Sequence, residues 1–325
     1  MAKSIPALLR AHDLYPRKRL GQNFLVDPVA LQRIVAAADL ALEDTVLEAG
    51  AGLGTLTRPL AEQAGRVIAV ELDDRLVDAL DQELADLGNV QILHADILRI
   101  SGLGLSHLGS KLVGNLPYYI TSAALRRFLE DEPRPKLMVV TVQREVAERI
   151  VARPGKMSLL AVSVQFYGQP KIVARIPPGA FYPSTNVESA VLRIDVGVQA
   201  AVTLPVGTGT KAYFRVVRAG FSQRRKTLRN ALSAGLHLKP SVMAERLESA
   251  GIDPRRRAES RLSGHRGDAT MAATASTRRR ASSGRRWERR RRVCVTGGGL
   301  MFFDQLEETW RKYKEGLEQE IQILV

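Results

Sequence analysis

Thr45-Val46-Leu47-Glu48-Ala49-Gly50-Ala51-Gly52-Leu53-Gly54 is the stretch whose reading decides the fold. Residues 45–49 read as a strand, the glycines as a tight turn, and residues 55–63 as the helix that the turn opens. Glycines in such a turn let the backbone approach a ligand closely and aim N–H groups at something anionic or polar. A dinucleotide site is the obvious competitor, but glycines at 50, 52 and 54 do not make the G-x-G-x-x-G spacing of that fingerprint.

The same alternation continues on both sides. Further strands are predicted at 66–71, 90–94, 111–114 and 136–142, with helices at 73–87, 119–130 and 144–152 between and after them. Strands near 171–176 and 188–195 complete a sheet of seven. Strand and helix in alternation predict an α/β domain with a largely parallel sheet. Upstream, Asp27 before Pro28 marks a helix start that runs to about Asp39, with Val29, Leu31, Ile34 and Val35 on its apolar face. Residues 1–20 read as an irregular basic arm ending in Arg17, Lys18 and Arg19, followed by the anchored polar loop Gly21-Gln22-Asn23-Phe24-Leu25. The segment Pro177-Pro178-Gly179-Ala180-Phe181-Tyr182-Pro183 reads as a rigid loop with two exposed aromatics.

Chemistry-bearing residues fall at the ends of the predicted strands, where ligands of open α/β sheets bind. Glu71 closes the second strand and suits a ribose diol, or else caps the next helix. Asp96 follows the third and suits an adenine amino group, or else caps a turn. Asn115-Leu116-Pro117-Tyr118 follows the fourth. These four residues fit methylation of an exocyclic amine on a flat ring. The lone pair of such an amine is delocalised into the ring, so a catalyst must hold its N–H bonds and draw the nitrogen toward tetrahedral geometry. The side-chain oxygen of Asn115 accepts one N–H in this reading. Pro117 restricts Leu116 to extended angles, which offers the Leu116 carbonyl as a second acceptor, and Tyr118 stacks on the ring.

Bulk properties limit the alternatives. The 325 residues are 45% hydrophobic and carry a net charge of +14. No run approaches the roughly 20 apolar residues of a membrane span, and residues 1–10 lack the apolar segment of a secretion signal, so a cytoplasmic protein without membrane contact is expected. Cys294 is the only cysteine and the five histidines are scattered, which argues against a disulfide and against a metal site. The charge points to a polyanion but is unevenly placed. Residues 255–300 hold fourteen arginines against three acidic residues, a net +11, whereas residues 301–325 carry −3 and residues 1–254 only +6. After Val196 the pattern changes to helices over 208–250. Phe221-Ser222-Gln223-Arg224-Arg225-Lys226-Thr227-Leu228-Arg229 places a dense basic group between two of them, the mark of a small helical domain over residues 198–254.

Taken in order, Gly21-Gln22-Asn23-Phe24-Leu25, Glu48 to Gly54, Glu71, Asp96, Asn115-Leu116-Pro117-Tyr118, Phe181-Tyr182-Pro183 and Phe221 to Lys226 resemble the ribosomal RNA adenine N6,N6-dimethyltransferases of the KsgA type. The resemblance runs from about Arg17 to Arg257. It implies a seven-stranded, Rossmann-like S-adenosylmethionine-dependent methyltransferase domain over residues 21–197 with a helical C-terminal domain. It implies that Asn23 and the backbone of Leu25 hold the methionine end of S-adenosylmethionine, that Gly50 lies beneath it, that Glu71 takes the ribose and Asp96 the adenine, and that Asn115 meets both cofactor and target amine. The implied substrate is a pair of adjacent adenosines in a hairpin loop near the 3′ end of small-subunit (16S) rRNA, each methylated twice, with the enzyme a monomer serving ribosome biogenesis. Tyr118 and Phe181 would sandwich the target base, and Arg17, Lys18, Arg19, Arg224, Arg225, Lys226 and Arg229 would contact RNA phosphates. Tyr119 departs from the family pattern, since many members carry a small polar residue there. Competing readings are a large-subunit (23S) rRNA methylase of macrolide-resistance type and a non-catalytic RNA-binding assembly factor.

The resemblance stops after Arg257. Residues 255–292 contain many arginines but no lysine and no hydrophobic period, so disorder is expected. A frameshift product is the favoured reading of this tail over a basic RNA-binding extension. In residues 301–325, Phe303, Leu306, Trp310, Tyr313, Leu317, Ile321 and Leu324 recur at helical spacing and predict an amphipathic helix.

Overall fold

The computed structural model describes residues 4–100, 110–153, 155–197, 209–223 and 225–259. The Arg-rich tail beyond Glu259, the predicted 301–325 helix and Arg224 lie outside the described residues. The chain divides into two compact units, Met1–Ala152 with Ser158–Ala201, and Arg153–Met157 with Val202–Val325.

The first unit opens with helix α1 (Ile5–Ala11), the short strand β1 (Phe24–Leu25) and α2 (Pro28–Ala38). It continues as β2 (Thr45–Ala49), α3 (Thr57–Ala61), β3 (Arg66–Glu71), α4 (Asp74–Glu83), β4 (Val90–His94) and β5 (Lys111–Asn115). Then come α5 (Thr121–Glu130), β6 (Leu137–Gln143), α6 (Arg144–Ile150), α7 (Leu159–Tyr167), β7 (Gly168–Ile176), the short β8 (Phe181–Tyr182) and β9 (Ser189–Val196). The expected seven-stranded sheet is present, in the order β4-β3-β2-β5-β6-β9-β7. Strands β4 to β6 in that order are parallel, and β9 runs antiparallel to both β6 and β7. The chain builds outward from β2 through β3 to β4, then crosses back to lay β5 on the other side of β2. That reversal opens a crevice above the carboxyl ends of β2 and β5, where such sheets take their ligands.

Valines from successive strands, Val46, Val67, Val113, Val139 and Val191, form one core with Ile34 of α2 and Leu60 of α3. Full burial of such a side chain contributes roughly 1.5–3 kcal/mol. Asp27 caps α2 by accepting the Val29 N–H at 2.8 Å, with Pro28 in the first turn as its sequence predicts. At the other end, the helix's last carbonyls are met by cations from the sheet. Arg193 Nη1 donates to Ala37 O at 2.7 Å, and the Lys111 ammonium donates to Asp39 O.

Three expectations for the first unit are corrected. The arm is not irregular throughout: Ile5, Leu8 and Leu9 stand one helical turn apart and bury α1 against Phe24, Leu53, Leu76 and Ala79. Helix α7 was not expected, because Leu159–Tyr167 is apolar on nearly every side and shows neither a helical nor a strand period. Of the two aromatics predicted to be exposed after Pro178, only Tyr182 is; Phe181 is 4% exposed because β8 pairs with β1 and turns its ring into the core.

In the second unit, α8 (Thr210–Phe221), α9 (Leu228–Leu236) and α10 (Pro240–Ser249) pack Val216, Leu228, Leu232, Met243 and Leu247 together. Thr227 caps α9 through the Asn230 N–H. The turn before it exposes Arg225 and Lys226.

At the end of the sheet opposite the crevice, Asp44 is buried and paired with Lys111 at 2.7 Å and Lys136 at 2.5 Å. Burial alone would raise the Asp44 pKa, but hydrogen bonds from the two lysines and the Ala41 N–H hold it below its ordinary value. Replacing Asp44 by Ala strands the Lys111 ammonium, itself buried. Loss of one partner from a buried pair costs about 3–5 kcal/mol. Urea unfolding of the variant should show that loss as a lower midpoint at unchanged slope.

Candidate active site

The crevice is a cavity of about 240 Å³. Asn23, Leu25, Gly50, Glu71, Asp96, Asn115, Leu116, Pro117, Tyr118 and Phe181 all line it, so residues spread over 159 positions of sequence meet in one place. Among the described residues, none of the basic side chains expected to bind RNA lines it. Lys18 and Arg19 are exposed beside it in sequence, and Arg225 and Lys226 are exposed in the second unit. Arg229 is half-buried, its Nε donating to Asn230 Oδ1 at 3.1 Å.

The glycine turn after β2 holds Gly50, Gly52 and Gly54 at φ of +78°, +60° and +78°, a region that costs other residues. At Gly52 two demands coincide. Its N–H donates to Glu71 Oε2 at 2.9 Å, and a Cβ there would stand 3.2 Å from the Phe24 ring. The second Glu71 oxygen accepts the N–H groups of Leu72 and Asp73, both at 2.9 Å. Glu71 therefore bridges the turns that follow β2 and β3. Burial raises its pKa despite those three donors.

The N-terminal loop is drawn over the cavity by Asp73. This buried carboxylate accepts from Arg17 Nη1 at 3.1 Å, Gln22 Nε2 at 2.9 Å and Arg75 Nη2 at 2.9 Å. Burial opposes its ionisation, but the hydrogen bonds from Arg75 and Gln22 and the charges of Arg75 and Arg17 prevail, and its pKa falls to about 2. Arg17, expected to contact RNA, has its guanidinium engaged in this clasp. Asp96 Oδ1 accepts the Leu98 N–H at 2.9 Å, and its other oxygen lies 3.5 Å from Arg99.

At the lip, Asn115 Nδ2 donates to the Asn23 carbonyl at 2.9 Å. That bond orients the amide, because only its NH2 can face a carbonyl oxygen, and leaves Oδ1 as an acceptor on the cavity-lining residue. The Tyr118 hydroxyl is 2.6 Å from Ser189 Oγ. Tyr119 is 62% exposed and its ring lies against Gly21, where an added Cβ would stand 3.3 Å from Cε1. The residue that departs from the family pattern thus stands at the mouth, not in the floor.

Sequence reasoning assigned no role to Glu48. It is fully buried, it lines the cavity, and neither carboxyl oxygen has a hydrogen-bond partner among the described residues. Burial pushes its pKa up to about 8; Thr57, whose hydroxyl is also unpartnered, eases this only in part, and the Glu71 charge adds to it. The available signal was an acidic residue in the middle of an otherwise apolar strand. Among the described residues, no group of three or more His, Cys, Asp or Glu could hold a metal ion, and no helix is long and apolar enough to cross a membrane.

A seven-stranded sheet with one reversed strand, and an acid-lined cavity over the crossover point, define an α/β methyltransferase of the Rossmann-like class. The family model of ribosomal RNA adenine dimethylases matches residues 15–260, and the chain belongs to that family. It is 50% identical to a ribosomal RNA small subunit methyltransferase A of Dehalococcoides mccartyi (strain CBDB1), over 78% of this chain and 86% of the relative. A protein of the same name from Pelotomaculum thermopropionicum is 44% identical over 78% of this chain and 89% of its own length. Among solved structures, a dimethyladenosine transferase from Plasmodium falciparum superposes with a TM-score of 0.63 at 22% identity, covering 73% of this chain and 93% of that one. The 23S rRNA methyltransferase ErmE follows at 0.57 and 29%, covering 72% and 92%.

The buried acid makes a testable pH signature. Glu48 has its pKa raised from 4.5 to about 8 on folding, so its contribution to stability is complete below about pH 4.5 and is lost as pH rises through about 8. Over that window the loss is roughly 1.4 kcal/mol per pH unit. Glu48→Gln removes the dependence: unfolding of variant and wild type measured from pH 5 to 8 should diverge progressively, with the variant gaining as pH rises.

Proposed function

We propose that the chain transfers methyl groups from S-adenosylmethionine to N6 of two adjacent adenosines in a hairpin loop near the 3′ end of small-subunit rRNA, two groups on each. The observation that carries the cofactor is the make-up of the cavity wall, acids without a base. Among the described residues its lining holds Glu48, Glu71 and Asp96 but no lysine, arginine or histidine. A nucleoside bearing a sulfonium and an ammonium suits such walls, whereas the pyrophosphate of a dinucleotide does not.

Asn23 and the Leu25 backbone would hold the methionine end, Gly50 would lie beneath it, Glu71 would take the ribose hydroxyls and Asp96 the adenine amino group. When bound, the cofactor supplies an electrophilic methyl group. The chain's contribution is then alignment, which in favourable cases is worth roughly 7–11 kcal/mol. Asn115 Oδ1, fixed by the bond from its amide to Asn23, accepts an N–H of the target amine, and the Leu116 carbonyl accepts the other. Tyr118 stacks on the base and Phe181, whose ring is packed in the core, closes the slot as a rigid wall. No histidine is needed, since an N-methylated adenine ammonium is strongly acidic and releases its proton readily.

Loop adenosines are cheaper to extract than paired ones, and loops are where proteins recognise RNA most readily. Lys18, Arg19, Arg225 and Lys226 are exposed cations suited to phosphate, and Arg224 and Arg229 belong to the same basic segment. The relatives at 44–50% identity are small-subunit methyltransferases by name, which supports the small subunit. The likeness to ErmE at 29% keeps the large subunit as the alternative to be tested.

The test is incubation with labelled S-adenosylmethionine and, separately, unmethylated small and large ribosomal subunits, followed by mapping of N6,N6-dimethyladenosine. Label on adjacent adenosines near the small-subunit 3′ end is the expected result. Label confined to the large subunit would replace this reading with the resistance type, and cofactor binding without transfer would replace it with an assembly role. In the same assay Asn115→Ala should lower the transfer rate roughly a hundredfold, the scale expected when a reacting group loses its alignment.

A further inference from the structure

We propose that Ser189 is a positioning residue for methyl transfer: its hydroxyl pins the Tyr118 ring and so fixes the plane on which the target adenine stacks. This rests on the reading above, in which Tyr118 is the stacking wall. Tyr118 belongs to the loop after β5, half-buried and bordering the cavity. Its ring is attached to that loop by two rotatable bonds. Among the described residues, the one side-chain hydrogen bond that reaches its far end is to Ser189 Oγ, at 2.6 Å.

Ser189 is a firm anchor. It is fully buried, and its backbone sits between two neighbours in the sheet, in register with Gln143 of β6 on one side and Ile176 of β7 on the other. The residue before it is fastened as well, since the Glu188 carbonyl accepts the Arg144 N–H at 2.9 Å and its carboxylate pairs with the Arg144 guanidinium. A hydroxyl at this position is otherwise hard to account for, because the following residues of β9, Ala190, Val191 and Leu192, are all apolar and fully buried.

The same short segment supplies the second aromatic of the proposed slot. Phe181 lines the cavity, and the loop from Tyr182 to Glu188 connects it directly to Ser189. That loop is itself tied down: Thr185 Oγ1 donates to Val187 O at 2.8 Å and Ser184 Oγ donates to Pro178 O at 3.0 Å. Residues 181–189 therefore set both aromatic surfaces of the base slot, one directly and one through a hydrogen bond. Asn115 requires this, since an N–H can point at a fixed acceptor only if the ring bearing it is held in a fixed plane.

The experiment compares the full-length wild type with Ser189→Ala, Tyr118→Phe and the double variant. Single-turnover methyl transfer is measured on unmethylated small subunits, alongside S-adenosylmethionine affinity by calorimetry. Each single variant should slow transfer about tenfold with cofactor affinity within about twofold of wild type, and the double variant should be no slower than either single one. Transfer by Ser189→Ala at the wild-type rate overturns the proposal, as does a double variant whose loss is the product of the two. A second measurement needs no RNA. With fluorotyrosine incorporated throughout, the resonance missing from Tyr118→Phe identifies Tyr118, and Ser189→Ala should shift it and sharpen it toward that of a freely turning ring. An unmoved resonance overturns the pin even if the wild type transfers no methyl group. Absence of wild-type transfer with the resonance shifted would discard the substrate reading and leave the pin in place.

Discussion

One buried carboxylate ties together, beside the crevice, two elements that the chain order keeps apart. Asp73 stands at the entrance to α4, yet it takes hydrogen bonds from Arg17 and Gln22 of the N-terminal loop and from Arg75 of its own helix. A carboxylate this deep is tolerated only when donors surround it, and here the donors are the roots of the loop carrying Asn23 and Leu25. The neighbouring Glu71 does the same for the glycine turn through Gly52. Two acids two positions apart on the chain thus draw the first and second strand connections toward each other. They add to the hold that the β1–β8 pairing and the Asn115 bond already have on the residues proposed to meet the methionine end.

Charge is sorted by place along the sheet. At the amino ends of the strands, Asp44 is matched by two lysines. At the carboxyl ends, Glu48, Glu71 and Asp96 face a cavity with no basic side chain among the described residues, while Lys18 and Arg19 are exposed outside it. A cationic small molecule and a polyanionic macromolecule place opposite demands on one surface, and separating the demands by depth satisfies both: acids inside, cations outside. The proposed slot for the base lies where the two meet, and there the side chains are neutral: Asn115, Tyr118 and Phe181.

Much of this was legible in the sequence because strand ends are marked locally. Apolar runs stop at Gly50, Glu71, Asp96 and Asn115, and in a parallel sheet the stops fall on one edge. What escaped depended on contacts distant in sequence. The paired ribbon of Phe24–Leu25 with Phe181–Tyr182 joins segments over 150 residues apart, and it is this pairing that buries a phenylalanine expected to be exposed. Arg17 looks like any other member of a basic cluster until Asp73 is placed beside it. Helix α7 carries too little polarity to show a period, and α1 is too short for its three buried residues to stand out against the basic arm. Glu48 and Ser189 are polar residues beside apolar runs of their strands, and nothing local distinguishes a role from an accident.

The unpartnered carboxyl group of Glu48 carries a consequence for the life of the protein as well as for its chemistry. A buried acid that must stay protonated costs the folded state more as pH rises, and a ligand that binds only the folded chain offsets that cost by mass action. The protein is then at its weakest when empty. Its persistence in a cell becomes tied to the supply of the metabolite it consumes, so that scarcity of methyl donor would deplete the catalyst along with the reaction.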